Sequence, residues 1–184
     1  MPFYSVDRRG FYRAGEALGL FSEDPQPEVR RRPSGELFSV AEASQHLLSL
    51  FPDGLSLHGW DMMTVPIAYT PPPHFQYVTY SPLIEIAFAF VRRSDFPERP
   101  SRLQSYLGWL DSDAASAFSR NNGGQPVYQL DSQAAFVADG YWLKIGWRAA
   151  DTSLCAHRYW AGDMSANSEP EVLLQTPVQV VTRL

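Results

Sequence analysis

The chain has 184 residues, 45% of them hydrophobic and 19% charged, enough for one folded domain with a substantial core, which argues against disorder over most of its length. A net charge of −5 and a pI near 5.3 exclude overall attraction to nucleic acid or to an anionic membrane surface. Cys155 is the only cysteine, which excludes an intrachain disulfide and a cysteine-based zinc cluster, and no apolar run reaches the length of a membrane span.

In chain order, Phe3-Tyr4-Ser5-Val6-Asp7 alternates aromatic and β-branched residues and reads as a first strand, followed by a turn at Arg8-Arg9-Gly10. Residues 22–35, with three prolines and the run Arg30-Arg31-Arg32, read as an exposed loop. Ser39 and Glu42 have capping-box spacing, and the apolar period from Val40 to Phe51 predicts a helix over about 40–51 that Pro52 stops. Residues 53–75 show a mixed pattern ending in Pro71-Pro72-Pro73. Tyr77-Val78-Thr79-Tyr80 predicts a strand. The apolar run Leu83–Val91, behind Ser81-Pro82, suits a buried helix or a strand equally.

Residues 92–100 read as a charged connection, Leu103–Leu107 as extended, and Asp111–Arg120 as a helix ended by Asn122-Gly123-Gly124. Val127–Leu130, Tyr141–Ile145, Glu171–Leu174 and Val178–Val181 complete the expected strands. Without regular alternation of strand and helix, this order predicts an α+β domain spanning residues 1–184 with a largely antiparallel sheet. Trp109, Trp142, Trp147 and Trp160 are expected mainly in the core; His46, His74 and His157, which share no metal-ligand spacing, are expected in structural places, and His58, in Leu57-His58-Gly59-Trp60 of a Pro- and Gly-bounded stretch, is expected as a surface or core histidine.

The most specific chemistry lies near the C-terminus, in Glu169-Pro170-Glu171 running into Val172-Leu173-Leu174. Residues i and i+2 of a strand share a face, so the spacing predicts Glu169 and Glu171 side by side above one cleft. Two carboxylates so close drive their affinities for a proton apart, which suits one to act as a base beside a fixed negative charge. Ser105-Tyr106, ahead of the predicted helix at 111–120, would supply a hydroxyl at the floor of such a cleft.

Three blocks in this order, the first strand with arginines just after it, the Ser105-Tyr106 strand and helix, and the Glu169-Pro170-Glu171 strand, resemble the ADP-ribosyltransferase superfamily in its cholera-toxin-like arrangement. Pro100-Ser101-Arg102, Asp139–Leu143, and Tyr159-Trp160-Ala161-Gly162 through Glu171-Val172-Leu173-Leu174 are similar to uncharacterised bacterial proteins related to that superfamily. The resemblance implies two packed antiparallel sheets with flanking helices around an NAD⁺-binding cleft. It implies Glu171 as the catalytic glutamate at the ribose, Glu169 as the carboxylate of arginine-modifying members, and Ser105 as the residue orienting Glu171. Tyr4 would belong to the NAD⁺-binding strand, Tyr106 would stack on nicotinamide, and Trp160 would line the cleft. Ser5 stands where these families carry arginine or histidine, so Arg8, Arg9 or Arg13 would supply the cation for the NAD⁺ phosphates. By the same resemblance the chain would be a bacterial toxin or effector acting on a protein, in the cytoplasm or secreted without a classical signal peptide. It would have no metal and no membrane or nucleic-acid partner.

Overall fold

A computed structural model describes residues 1–27, 37–65, 68–69, 77–78 and 81–184. It is an α+β fold whose two main sheets are both antiparallel. The chain opens with β1 (Phe3–Val6) and β2 (Ala17–Leu18), followed by helices α1 (Val40–Leu50) and α2 (Leu57–Thr64). A backbone pair, β3 (Ala68–Tyr69) with β4 (Tyr77–Val78), precedes α3 (Ser81–Asp95). Then come β5 (Ser105–Gly108), α4 (Ser112–Asn121), β6 (Val127–Ser132), β7 (Ala135–Asp139), α5 (Ala149–Ala161), β8 (Pro170–Gln175) and β9 (Val178–Arg183). One sheet runs in the order β1-β6-β9-β2, the other β5-β8-β7.

The two sheets share two long ribbons. β6 and β7 are neighbours in sequence yet lie in different sheets, and so do β8 and β9; β6 pairs with β9 and β7 with β8. At the crossing, the Gln175 N–H donates to the Ala134 carbonyl at 3.0 Å and the Ser132 hydroxyl lies 2.8 Å from the Gln175 carbonyl. Both ribbons therefore bend at one level, and the sheets face each other across a core that includes Phe3, Leu130, Val172, Leu174, Val178 and Val180.

Strand β8 is covered on both faces, which is why Val172, Leu173 and Leu174 form an unbroken apolar run. Val172 and Leu174 enter the core between the sheets, whereas Leu173 packs outward with Phe88 of α3 and Tyr159 and Trp160 of α5. Helix α3 answers the choice left open by its apolar run: Pro82, Glu85, Phe88 and Val91 recur every three residues on its buried face, while Phe90 lies largely in solvent.

The capping box of α1 forms, with Ser39 and Glu42 exchanging hydrogen bonds, a contribution of about 1 kcal/mol. Four expectations are corrected. Residues 57–64 of the mixed stretch form α2, started by the Ser56 hydroxyl accepting from Gly59 N–H. Residues 92–95 continue α3. The expected strand at Tyr141–Ile145 is a 3-10 turn over Gly140–Trp142, because the Asp139 carboxylate accepts from the Tyr141 N–H and curls the chain; the strand lies just upstream, as β7. Trp147 is fully exposed instead of buried. The arginine run at 30–32, the proline run at 71–73, His74 and Thr79-Tyr80 lie outside the described residues.

Candidate functional site

Strands β1 and β5 meet edge to edge where the two sheets come together. Tyr4 and Trp109 exchange backbone hydrogen bonds at 2.9 and 2.7 Å. The approach requires Gly108, since a Cβ there would sit 2.6 Å from the Tyr4 carbonyl oxygen. Beside this junction lies a cavity of about 190 Å³, lined by Ser5 and Arg8-Arg9 from the N-terminal segment, His58 and Asp61 from α2, Tyr106–Trp109, and Glu171.

Glu171 reaches the cavity because β5 ends at Gly108, opposite Val172, one residue short of it. Its parity is that of Leu173, so its carboxylate also meets the α5 side of the sheet. There the Tyr159 hydroxyl and Arg102 both donate to Oε1 of Glu171. The other oxygen, Oε2, makes no hydrogen bond with the described residues. Behind the wall the contacts continue: Arg102 Nε lies 3.0 Å from both oxygens of Glu85, and its Nη1 donates to the Tyr159 hydroxyl at 2.5 Å. Nε2 of His58 stands 2.9 Å from Oε1 of Glu85. His58 and Glu171 line the cavity; Glu85, Arg102 and Tyr159 do not.

Burial opposes charge on Glu85, but the neighbouring Arg102 and His58 outweigh it and hold the carboxyl down at about 2. Burial also works against the charge of Arg102, and Glu171 and Glu85 more than offset it, raising the guanidinium well above its ordinary value. Tyr159 is pushed well above the ordinary phenol, chiefly by burial, so it stays protonated and donates to Glu171. The result is one buried cation between two carboxylates, with a phenol and an imidazole at its ends.

The opposite style of organisation governs the N-terminal loop. The carboxylate of Asp7 accepts from the backbone N–H groups of Arg9, Gly10, Phe11 and Tyr12 at 2.7 to 3.2 Å. This closes the loop and leaves Arg8 and Arg9 at the cavity edge. Arg9 pairs with Asp61 at 3.0 Å; Arg8 has no ion pair among the described residues. Tyr12 lies under the loop, its hydroxyl 3.2 Å from that of Ser5 and its pKa raised by burial to about 12. Ser5 donates to the Leu107 carbonyl at 2.6 Å, fixing β1 against β5.

Of the residues expected at the site, the structure brings together Glu171, Arg8, Arg9 and Tyr106, the last with its hydroxyl donated to the Gly19 carbonyl. The others lie elsewhere. Glu169 precedes β8 and is exposed, its backbone held by Asp139 and Gly140, so it does not share the face of Glu171. The Ser105 hydroxyl turns back to the Ser101 carbonyl at 2.8 Å. Trp160 is fully buried, donating to the Phe88 carbonyl and stacked on Phe136. Arg13 folds onto the carbonyls of Gly10 and Tyr12, and Tyr4 packs with Val6, Trp109 and Phe118 beside the cavity without lining it.

The sequence assigned no site role to four members of the network: His58, expected as a surface or core histidine, and Glu85, Arg102 and Tyr159. The available signal was Glu85, the single charge in the run Leu83–Val91, since a carboxylate in an apolar helix needs a buried partner. Among the described residues no three or more His, Cys, Asp or Glu side chains converge in a group able to hold a metal ion.

The family described as "Protein of unknown function (DUF2441)" matches residues 74–184. The chain belongs to that family. The matched segment carries Glu85, Arg102, Tyr159 and Glu171; the cavity's other side, with Arg8, Arg9 and His58, comes from residues ahead of it. No curated protein matches the chain.

Proposed function

We propose that the chain transfers ADP-ribose from NAD⁺, with Glu171 as the residue acting at the reacting ribose. The observation that carries this reading is the position of Glu171. It stands at the start of a central strand, on the wall of a cavity it shares with Arg8 and Arg9, with one carboxylate oxygen fixed from behind and the other without a partner among the described residues. The bond to be broken joins C1′ of the ribose to the nicotinamide nitrogen, and its electron pair leaves with nicotinamide, which departs neutral. Positive charge then builds on the ribose, and a carboxylate held in place beforehand stabilises that charge more than it stabilises the ground state.

Arg102 and Tyr159 position Glu171 through Oε1. Oε2 would accept a hydrogen bond from a ribose hydroxyl, and Arg8 and Arg9 would meet the phosphates. A cavity of about 190 Å³ lies below the roughly 300–1,000 Å³ usual for small-molecule pockets. It therefore suits the nicotinamide-ribose end, with the remainder of the dinucleotide crossing the cavity mouth. The acceptor would be a protein group or water; a paired-carboxylate argument for arginine loses its support with Glu169 in solvent.

The test is release of nicotinamide from NAD⁺ by the purified chain. Glu171→Gln keeps the size of the side chain and removes its charge, and a fall of at least about a hundredfold is expected. A second reading, a binding domain on the same scaffold without chemistry, draws on Ser5, which is spent on the Leu107 carbonyl. Calorimetric binding of NAD⁺ with no nicotinamide released would favour it.

A further inference from the structure

We propose that His58 is the base that activates the acceptor, and that the acceptor is a neutral hydroxyl, of which water is the simplest. This rests on the transfer reading above and adds the second half of the reaction to it.

The geometry of the imidazole is the first argument. His58 lines the cavity while its Nε2 lies 2.9 Å from Glu85, a residue sealed behind the wall and already paired with Arg102. A carboxylate kept ionised can only accept, so Nε2 carries the hydrogen of that contact, and in the neutral form of the ring Nδ1 carries the lone pair. A ring oriented by a buried acid through Nε2, which in its neutral form presents Nδ1 as an acceptor, is the arrangement general-base catalysis needs. The same Glu85–Arg102 contact runs on to Glu171, so the base and the ribose-directed carboxylate hang from one buried guanidinium. Their relative placement is fixed by side chains that never enter the cavity.

The charges around the cavity supply the second argument. Each carboxylate of the lining is already engaged: Asp7 holds four backbone N–H groups, Asp61 meets Arg9, and Glu171 meets Arg102 and Tyr159 through Oε1, while its Oε2 is taken by the ribose in the transfer reading. A guanidinium acceptor would face Arg8 and Arg9 without a carboxylate to hold it. A neutral hydroxyl needs only a lone pair to receive its proton, and His58 offers one. In the balanced step the C1′–N bond breaks with its electrons going to nicotinamide, the hydroxyl oxygen bonds to C1′, and the hydroxyl proton passes to His58 and then to solvent.

The experiment incubates the full chain with NAD⁺ alone, with methanol, and with agmatine as a guanidino acceptor, and identifies products by mass. The expected result is nicotinamide release, methyl ADP-ribose rising with methanol, and no agmatine adduct. His58→Ala and His58→Gln should each lower release about a hundredfold, and free imidazole should restore part of it in His58→Ala, which a merely structural role would not allow. Agmatine adducts outrunning methyl ADP-ribose would overturn the proposed acceptor, and the unaltered chain decides this whether or not a variant folds. Undiminished release by both His58 variants, beside a Glu171→Ala variant that has lost it, overturns the base and leaves the transfer reading standing. No release by the unaltered chain overturns both.

Discussion

The two walls of the cavity hold their charges in opposite ways. On one side Arg102, Glu85, Tyr159 and Glu171 are drawn from a 3-10 turn, two helices and a strand into a cluster that is buried except at Glu171. On the other, Asp7 folds one short loop around its own carboxylate, and Arg8 and Arg9 stay in water. A buried cluster is costly to assemble and hard to displace, so it suits groups whose direction must not change during a reaction. Solvated arginines on a loop can adjust to a polyanion at little cost. Under the transfer reading, chemistry falls to the buried wall and capture to the loop.

The strongest blow to that comparison is Arg102→Met. It leaves Glu85 and Glu171 facing each other without their cation, and a loss of about 3–5 kcal/mol is expected in urea unfolding. Arg102→Lys should recover little, since an ammonium cannot serve Glu85 and Glu171 through separate arms as a guanidinium does. If Arg102→Met unfolds at the same urea concentration as the natural chain, the wall does not depend on its buried cation.

Proton linkage probes the same wall more gently. Glu85 falls from its ordinary 4.5 to about 2 in the folded chain, which corresponds to about 3 kcal/mol. Because the folded value is the lower one, that stability is fully present above pH 4.5 and is lost as the pH falls toward 2. Unfolding free energy measured across this window should drop steeply for the natural chain and less steeply for Glu85→Gln. Parallel curves would show that the ion pair with Arg102 does not set the linkage.

How much of this could be read from the sequence follows the range of the contacts. Strand β1, helix α1 with its Ser39–Glu42 box, helix α4 and the last two strands were legible, because each is announced by neighbours within a turn or by simple alternation. Helix α5 was missed although Gly162, in the left-handed conformation at φ 81°, closes it. Tyr141–Ile145 misled by alternating where no partner strand runs among the described residues.

The site divides along the same line. Glu171 was legible from the strand it opens. Its pairing with Glu169 was not realised, because the face-sharing rule holds only inside a strand and β8 begins at Pro170. Arg102 meets Glu85, Tyr159 and Glu171 across 17, 57 and 69 residues, and no local period encodes such a meeting. The buried charge of Glu85 required some partner, but only the fold says which one.

On the loop side the expected effects shrink. Asp7→Ala removes an acceptor from four backbone N–H groups, two of them within 2.9 Å. A loss of about 2 kcal/mol in thermal or urea unfolding is expected. Under the transfer reading, KM for NAD⁺ should rise while kcat changes little, since the loop captures and the buried wall reacts. A fall in kcat with KM unchanged would contradict that division.

The smallest effects separate the two arginines. Arg8 carries no ion pair among the described residues and is exposed, so Arg8→Ala should leave stability within about 0.5 kcal/mol and weaken NAD⁺ binding severalfold, an effect that added salt erases. Under the transfer reading Arg9→Ala should cost more in binding, because Arg9 is held in place by its pairing with Asp61 at 3.0 Å and so meets the phosphates from a more fixed position. Calorimetric titration of both variants at low and high salt gives the order directly. Equal losses that persist in salt would mean that these side chains make fixed contacts rather than supplying a screened field, and the contrast between the adaptable wall and the rigid one would disappear.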